Sequence, residues 1–327
     1  MKRTPHQRNR TGRKHSLVAI TGGRGLIGTA LAHRLVCENA TPRLISRRPE
    51  VPPPGMELFV ADVYDSHAVQ KAFEGASRVV HLATPPSMIS NEWRNEKILS
   101  QSIAYMQNVL DAMRKNDVRH LTVASSVLVY PPDAPTPIGE EWGQLGHPAE
   151  SKGGYSWGKR LMEAMAQQAA RTYGFKLSIP RFSNIYGPRA WNDAHGDVIS
   201  KSITHALLGQ PLSIFGDGNQ TRSFLFVEDC VDGIRLLEEA KTGGEAVNLA
   251  PRTGTTILEV TRQILRLTKS DSALERVDAP VGPSRGLFDV RRAEKYGFSA
   301  TTSLESGLKK TIQHYRKTQP VEAKDRH

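Results

Sequence analysis

Tyr155 and Lys159 stand four residues apart in the stretch GGYSWGKR, residues 153–160. On an α-helix that spacing brings a phenol and an ammonium to one face. A cation beside a phenol favours the phenolate and lowers a pKa that is otherwise about 10, which would make Tyr155 an acid or base near neutral pH. Of the eight tyrosines, only Tyr155 is followed by lysine at this distance. Taken alone, the pair equally describes a solvated helix face, so its meaning depends on what else the chain supplies.

The elements that would position it begin at residue 16. Residues 16–21, SLVAIT, read as a buried strand that runs into GGRGLIG and then into the helical pattern TALAHRLVCENA. Gly23, Gly25 and Gly28, preceded by Gly22, satisfy G-x-G-x-x-G between strand and helix. In that context the glycines admit a tight turn and a close approach to a pyrophosphate, whose charge meets the helix N-terminus. Gly22, Gly23, Gly25, Leu26, Ile27 and Gly28 are therefore the candidate cofactor cradle. A second strand, residues 43–46, ends where an NAD-specific fold commonly places Asp or Glu; this chain has Ser46, Arg47 and Arg48 instead. An arginine binds a ribose 2′-phosphate that a carboxylate would repel, so Arg47 points to NADP, with NAD as the alternative. Further strands at 58–60 and 79–83 put Asp62 and Val63 at the adenine and Leu82 and Ala83 on the path to a nicotinamide. His81 lies inside an apolar run and reads as a satisfied core histidine. A helical run over 95–115 then precedes a strand at 121–125. Strands alternating with helices predict a doubly wound parallel α/β sheet.

Composition narrows the class. The 327 residues suffice for a full core, and no apolar run approaches the ~20 residues needed to span a bilayer. Cytoplasmic residence is the resulting expectation. Cys37 and Cys230 form no disulfide framework and have no metal-ligand spacing. The net charge is +11, but six basic residues and no acidic ones fall within residues 1–15, and setting them aside leaves +5. The chain therefore reads as an enzyme for anionic substrates with a disordered basic tail, not as a nucleic-acid-binding protein.

The order TGGRGLIG, VVHLA, SSVLVY, YSWGK resembles the extended short-chain dehydrogenase/reductase family, in particular its nucleotide-sugar epimerase/dehydratase branch. PRFSNIYGPR and GDGNQTRSFLFVEDCVDG extend the resemblance over roughly residues 16–316. It implies a Rossmann dinucleotide-binding domain over 16–187, joined by a returning strand at 246–250. A smaller C-terminal α/β substrate domain would occupy 188–316, and a tail 317–327. By position, Ser126 matches the family serine that binds the reacting oxygen, Tyr155 the acid/base, and Lys159 the residue that holds the nicotinamide ribose. Asn184, Arg222 and Arg285 match contacts to the nucleotide-diphosphate part of the substrate. For Asn184 a turn-capping role is the competing reading, and for Arg222 a pairing with Glu228 or Asp229.

The same resemblance excludes chemistries. Dehydratases and decarboxylases of the branch usually carry an acidic residue just after the serine, where this chain has Val127 and Leu128. Leu128 also occupies the position of the acid/base cysteine in GDP-mannose 3,5-epimerases. What remains is hydride transfer at C4 of a nucleotide sugar, with a 4-ketoreductase favoured by Arg47, and a 4-epimerase with tightly held cofactor as the alternative. A non-catalytic NADP sensor and a steroid- or flavonoid-type reductase are the other readings. The intact Ser126, Tyr155 and Lys159 argue against the first, and the anionic-substrate residues against the second. Relatives dimerise through two helices, here 95–115 and 155–173, so a homodimer is expected.

Overall fold

The computed structural model describes residues 16–85, 96–150, 153–189, 197–278 and 286–318. Residues 1–15, Arg285 and the chain beyond 318 lie outside the described residues. The first half runs β1 (Leu17–Thr21), α1 (Leu26–Cys37), β2 (Thr41–Ser46), β3 (Glu57–Val60), α2 (Ser66–Ala72), β4 (Arg78–His81), α3 (Glu96–Lys115), β5 (His120–Val123), β6 (Ser125–Ser126), α4 (Gly153–Tyr173) and β7 (Lys176–Phe182). There follow β8 (Asn184–Tyr186), α5 (Val198–Leu207), β9 (Leu212–Phe215), β10 (Thr221–Arg222), β11 (Phe224–Phe226), α6 (Val227–Glu239), β12 (Ala246–Leu249), β13 (Thr255–Thr256), α7 (Ile257–Thr268), β14 (Leu274–Val277), α8 (Arg291–Lys295) and α9 (Leu304–Thr318).

The main sheet has the order β12-β7-β5-β4-β1-β2-β3, with β6 attached to β7. Its pairings are parallel throughout. This is the doubly wound sheet expected from the alternation of strands and helices. Its strand order reverses beside β1, which places the crevice of a dinucleotide fold between the carboxyl ends of β1 and β4.

The register of β1 explains why its residues are nearly all apolar. Val18, Ala19 and Ile20 are fully buried, yet successive side chains face opposite sides of the sheet. Ala19 joins the core that includes Met106, Val109, Met162 and Ala166 of α3 and α4. Val18 and Ile20 join the opposite core with Leu31 and Leu35 of α1 and Ile234 and Leu237 of α6. Each such Leu or Ile side chain contributes roughly 1.5–3 kcal/mol by leaving water. A third cluster joins Ile199 and Ile203 of α5, Val260 and Ile264 of α7, and Leu308 and Ile312 of α9, away from the sheet. The sequence left Leu161, Met162 and Met165 open between core and interface. Met162 is core, Met165 packs against it, and Leu161 is 37% exposed.

Candidate active site

The glycine turn after β1 is shaped by what it must avoid. Gly22 has φ +67°, and a Cβ there would come within 2.8 Å of the Ala83 backbone nitrogen. A Cβ on Gly28 would lie 2.6 Å from the Gly22 carbonyl oxygen, so α1 could not pack this closely on the turn. The result is an open cradle at the N-terminus of α1. Gly25 is its N-cap and provides no side-chain hydrogen bond to the first-turn N–H groups. By contrast, α2 is capped by Asp65 and α7 by Thr256 with Glu259. An uncapped helix N-terminus of 12 residues on a glycine cradle fits a pyrophosphate. Leu82 and Ala83 follow β4 on the opposite wall, and the Ala83 N–H donates to Thr21 Oγ1 at 3.3 Å.

Asp62 and Arg47 are the residues expected at the adenosine end. Asp62 Oδ1 accepts from the Tyr105 hydroxyl and from the Tyr64 N–H, both at 2.9 Å, so its carboxylate is anchored to α3. Asn108 donates to the Val63 carbonyl at 2.9 Å and fixes the same turn. Arg47 is exposed just beyond β2, and its charge is felt by Tyr105. Arg24, within the glycine turn, pairs with Glu50.

The three residues proposed for proton transfer come together from two elements. Ser126 ends β6, in register with Phe182 of β7. Its side chain lies close enough to the Tyr155 phenol to favour the ionised form, and its Oγ accepts from the Leu128 N–H at 3.2 Å. Lys159 is 4% exposed and its ammonium donates to the Ala124 carbonyl at 2.7 Å. That ammonium sits 5.7 Å from the centre of the Tyr155 ring. Burial lowers the Lys159 pKa to about 8, against the pull of Glu163 one turn on.

Here the structure corrects the reading from spacing. The phenol was expected to ionise near neutral pH because of Lys159. Instead burial pushes the Tyr155 pKa up to about 12, and the opposing influence of Ser126 is the weaker effect. A proton leaving a buried phenol creates a charge with little solvation, and a neighbouring cation that is itself poorly solvated and committed to a carbonyl does not reverse that cost.

Of the residues expected to bind substrate, Asn184 is exposed at the start of β8, with its side chain donating to the Ser223 carbonyl at 3.2 Å. The same carbonyl accepts from the Asn184 N–H at 2.9 Å. Arg222 is partly buried in β10, donates to the Thr221 carbonyl at 2.9 Å, and has its pKa lowered by burial. The partners considered for it are engaged elsewhere: Glu228 by Lys310 at 2.6 Å, and Asp229 by Thr301 and Thr302. Arg285 lies outside the described residues. Gly286 packs against Thr221 of β10.

A family model described as the NAD dependent epimerase/dehydratase family matches residues 18–250. The chain belongs to that family. Among its relatives, the UDP-N-acetyl-alpha-D-glucosaminuronate decarboxylase of Bacillus cytotoxicus is 29% identical over 313 residues, covering 91% of this chain and 97% of the relative. The structure of MoeE5 in complex with UDP-glucuronic acid and NAD is 28% identical, with a TM-score of 0.80 over 92% of this chain and 99% of that one. The UDP-glucose 4-epimerase of Thermotoga maritima shares the fold, with a TM-score of 0.83 at 24% identity over 93% and 100% of the two chains.

As an enzyme of the epimerase/dehydratase family, the protein also contains polar groups that motif reading missed. Glu163, four residues beyond Lys159, is buried against Ser125 and Arg181. Its i+4 position was visible in the sequence, but nothing there marked it as buried. His81 was read as a satisfied core residue, and only half of that holds. Nδ1 bonds Thr21 Oγ1 at 2.7 Å, whereas Nε2 has no hydrogen-bond partner among the described residues. Burial and the nearby Lys159 charge hold its pKa down at about 3, so the ring is neutral. No described helix is long and apolar enough to cross a membrane.

Proposed function

We propose that this enzyme is an NADP(H)-linked 4-ketoreductase acting on a nucleotide-diphosphate sugar, with uridine-linked sugars as the first class to test. The observation that carries the reading is the buried Lys159, bonded to the Ala124 carbonyl with its ammonium 5.7 Å from the Tyr155 ring, next to Ser126 at the end of β6. A bound nicotinamide supplies or accepts the hydride. Tyr155, kept protonated by burial, holds the proton that reduction must deliver to the carbonyl oxygen, and the phenolate it leaves needs the Lys159 charge beside it. Ser126 donates a hydrogen bond to the same oxygen and polarises the carbonyl. Lys159 holds the nicotinamide ribose and stabilises the phenolate left after transfer. The cradle from Gly22 to Gly28 takes the pyrophosphate, and Arg47 takes the 2′-phosphate. Asn184, Arg222 and Arg285 bind the substrate diphosphate, for which an arginine fork is suited.

The decarboxylase names among the relatives suggest a competing chemistry. Against it stands the turn after Ser126, where Val127 is buried and Leu128 follows; neither side chain exchanges a proton. A 4-epimerase is the second reading, favoured by the NAD in the MoeE5 complexes, and it would use the same three side chains on a cofactor that stays in the site. Mass spectrometry of the dinucleotide released on denaturing the purified protein separates the two. Near-stoichiometric oxidised dinucleotide favours the epimerase. An empty protein that oxidises NADPH with a 4-keto nucleotide sugar supports the reductase. Failure of both NADPH and NADH with every member of a 4-keto panel refutes it. Tyr155→Phe should abolish turnover and spare cofactor binding, whereas a non-catalytic sensor would show no turnover to lose. We also propose a homodimer formed by the outer faces of α3 and α4, where Ile103 and Leu161 are exposed; light scattering tests it.

A further inference from the structure

A buried polar cluster that the scheme above does not use lies against the catalytic helix. Glu163, Arg181 and Ser125 are 5%, 2% and 3% exposed. The Glu163 carboxylate takes a two-pronged contact from Arg181, with Nε on Oε1 at 2.9 Å and Nη2 on Oε2 at 2.7 Å, and it also accepts from the Ser125 hydroxyl. Arg181 is held in turn from every side. Its Nη1 donates to the Glu140 carbonyl at 2.7 Å and the Tyr130 hydroxyl at 3.2 Å. The Tyr130 ring lies 5.2 Å from the guanidinium carbon, and a Cβ on Gly143 would collide with the guanidinium at 2.3 Å. Ser125 and Asn248 flank Arg181 in register on the strands either side of β7.

A buried ion pair of this kind is often no more stable than an apolar replacement, so stability alone does not account for it. Its position does. Glu163 lies one turn from Lys159 on α4, and Ser125 adjoins both Ala124, whose carbonyl holds the Lys159 ammonium, and Ser126. We infer that Glu163 is a positioning residue that acts through Lys159: Arg181 and Ser125 fix its carboxylate one turn away, where its charge favours the ionised ammonium while the Ala124 carbonyl holds that ammonium. This rests on the proposed role of Lys159 in holding the cofactor. The other groups around Lys159 cannot substitute. On α4, Tyr155 is a neutral phenol; on β4, His81 is neutral and its interaction opposes the charge. Ala124 gives a carbonyl, and α3 brings Ser102 against Gly158, with no charge.

The test is the pH dependence of NADPH affinity, followed by fluorescence on the full chain. In the unaltered enzyme, affinity should fall as pH rises through about 8. Glu163→Gln should move that midpoint down by about one pH unit, since a nearby buried charge is worth at least that much. A purely structural carboxylate would instead weaken binding equally at every pH. Because Glu163→Gln strands the Arg181 charge, the double variant Glu163→Gln/Arg181→Met removes that charge as well, and it is expected to melt above Glu163→Gln and still show a lowered midpoint. An unshifted midpoint in a folded variant, with Lys159→Met still weakening NADPH binding, overturns the role of Glu163 alone. Lys159→Met that binds NADPH like the unaltered enzyme at all pH overturns the Lys159 assignment and the inference with it.

Discussion

The Lys159 ammonium donates to the Ala124 carbonyl at 2.7 Å and so pins α4 to the chain between β5 and β6. The contact commits a cation to a nearly dry site, and burial lowers its pKa to about 8 while the Tyr155 phenol rises to about 12. The order of these values decides which group limits activity in base. Ketone reduction should decline as pH rises through about 8, because Lys159 loses its charge there while Tyr155 still carries its proton. Lys159→Met should lower kcat/KM by roughly 10²–10⁴-fold and flatten that limb. A pH–rate profile of both proteins checks this; a limb that survives in the variant would assign it elsewhere.

His81 sets an acid limit on folding. In the unfolded chain its imidazole takes a proton near pH 6.5, and in the folded chain only near 3. Its contribution is therefore complete above about 6.5 and is lost as pH falls towards 3, by up to about 5 kcal/mol. His81→Gln, which keeps a hydrogen-bond partner for the Thr21 hydroxyl, should make stability less pH-dependent between pH 6.5 and 4.5. Urea titrations at several pH values measure the slope.

Gly28→Ala places a methyl 2.6 Å from the Gly22 carbonyl oxygen, and both groups are backbone-fixed. The expected cost is about 1–3 kcal/mol of stability and at least a tenfold loss of dinucleotide affinity, since α1 must move away from the cradle. Thermal melts with and without NADPH report both effects. Equal stabilisation of variant and unaltered protein by NADPH would show that the pyrophosphate does not sit there.

Arg47→Ala should raise the Kd for NADPH by about 10–100-fold and leave that for NADH nearly unchanged, because the proposed charge-assisted bond to the 2′-phosphate would be lost. Titration calorimetry with both cofactors checks the ratio. If both affinities fall together, Arg47 is holding the loop and not reading the phosphate.

Much of this was legible in the residues themselves. The continuous apolar run of β1, the glycines at 22–28 and the helical period after them act locally, so spacing alone placed a strand, a turn and a helix N-terminus. The four-residue interval between Tyr155 and Lys159 determined that they share a face of α4. What spacing could not carry was solvation. Whether Lys159 lowers the phenol or burial raises it depends on atoms brought in from β4, β5 and β6, which are remote in sequence. The pairing of Glu163 with Arg181, and of both with Ser125, joins residues up to 56 positions apart and exists only because α4 crosses β6 and β7. Local order thus determined the elements and the candidate chemistry. Only the tertiary structure decided the protonation states, because the energy of a charge depends on everything packed around it, whatever its distance along the chain.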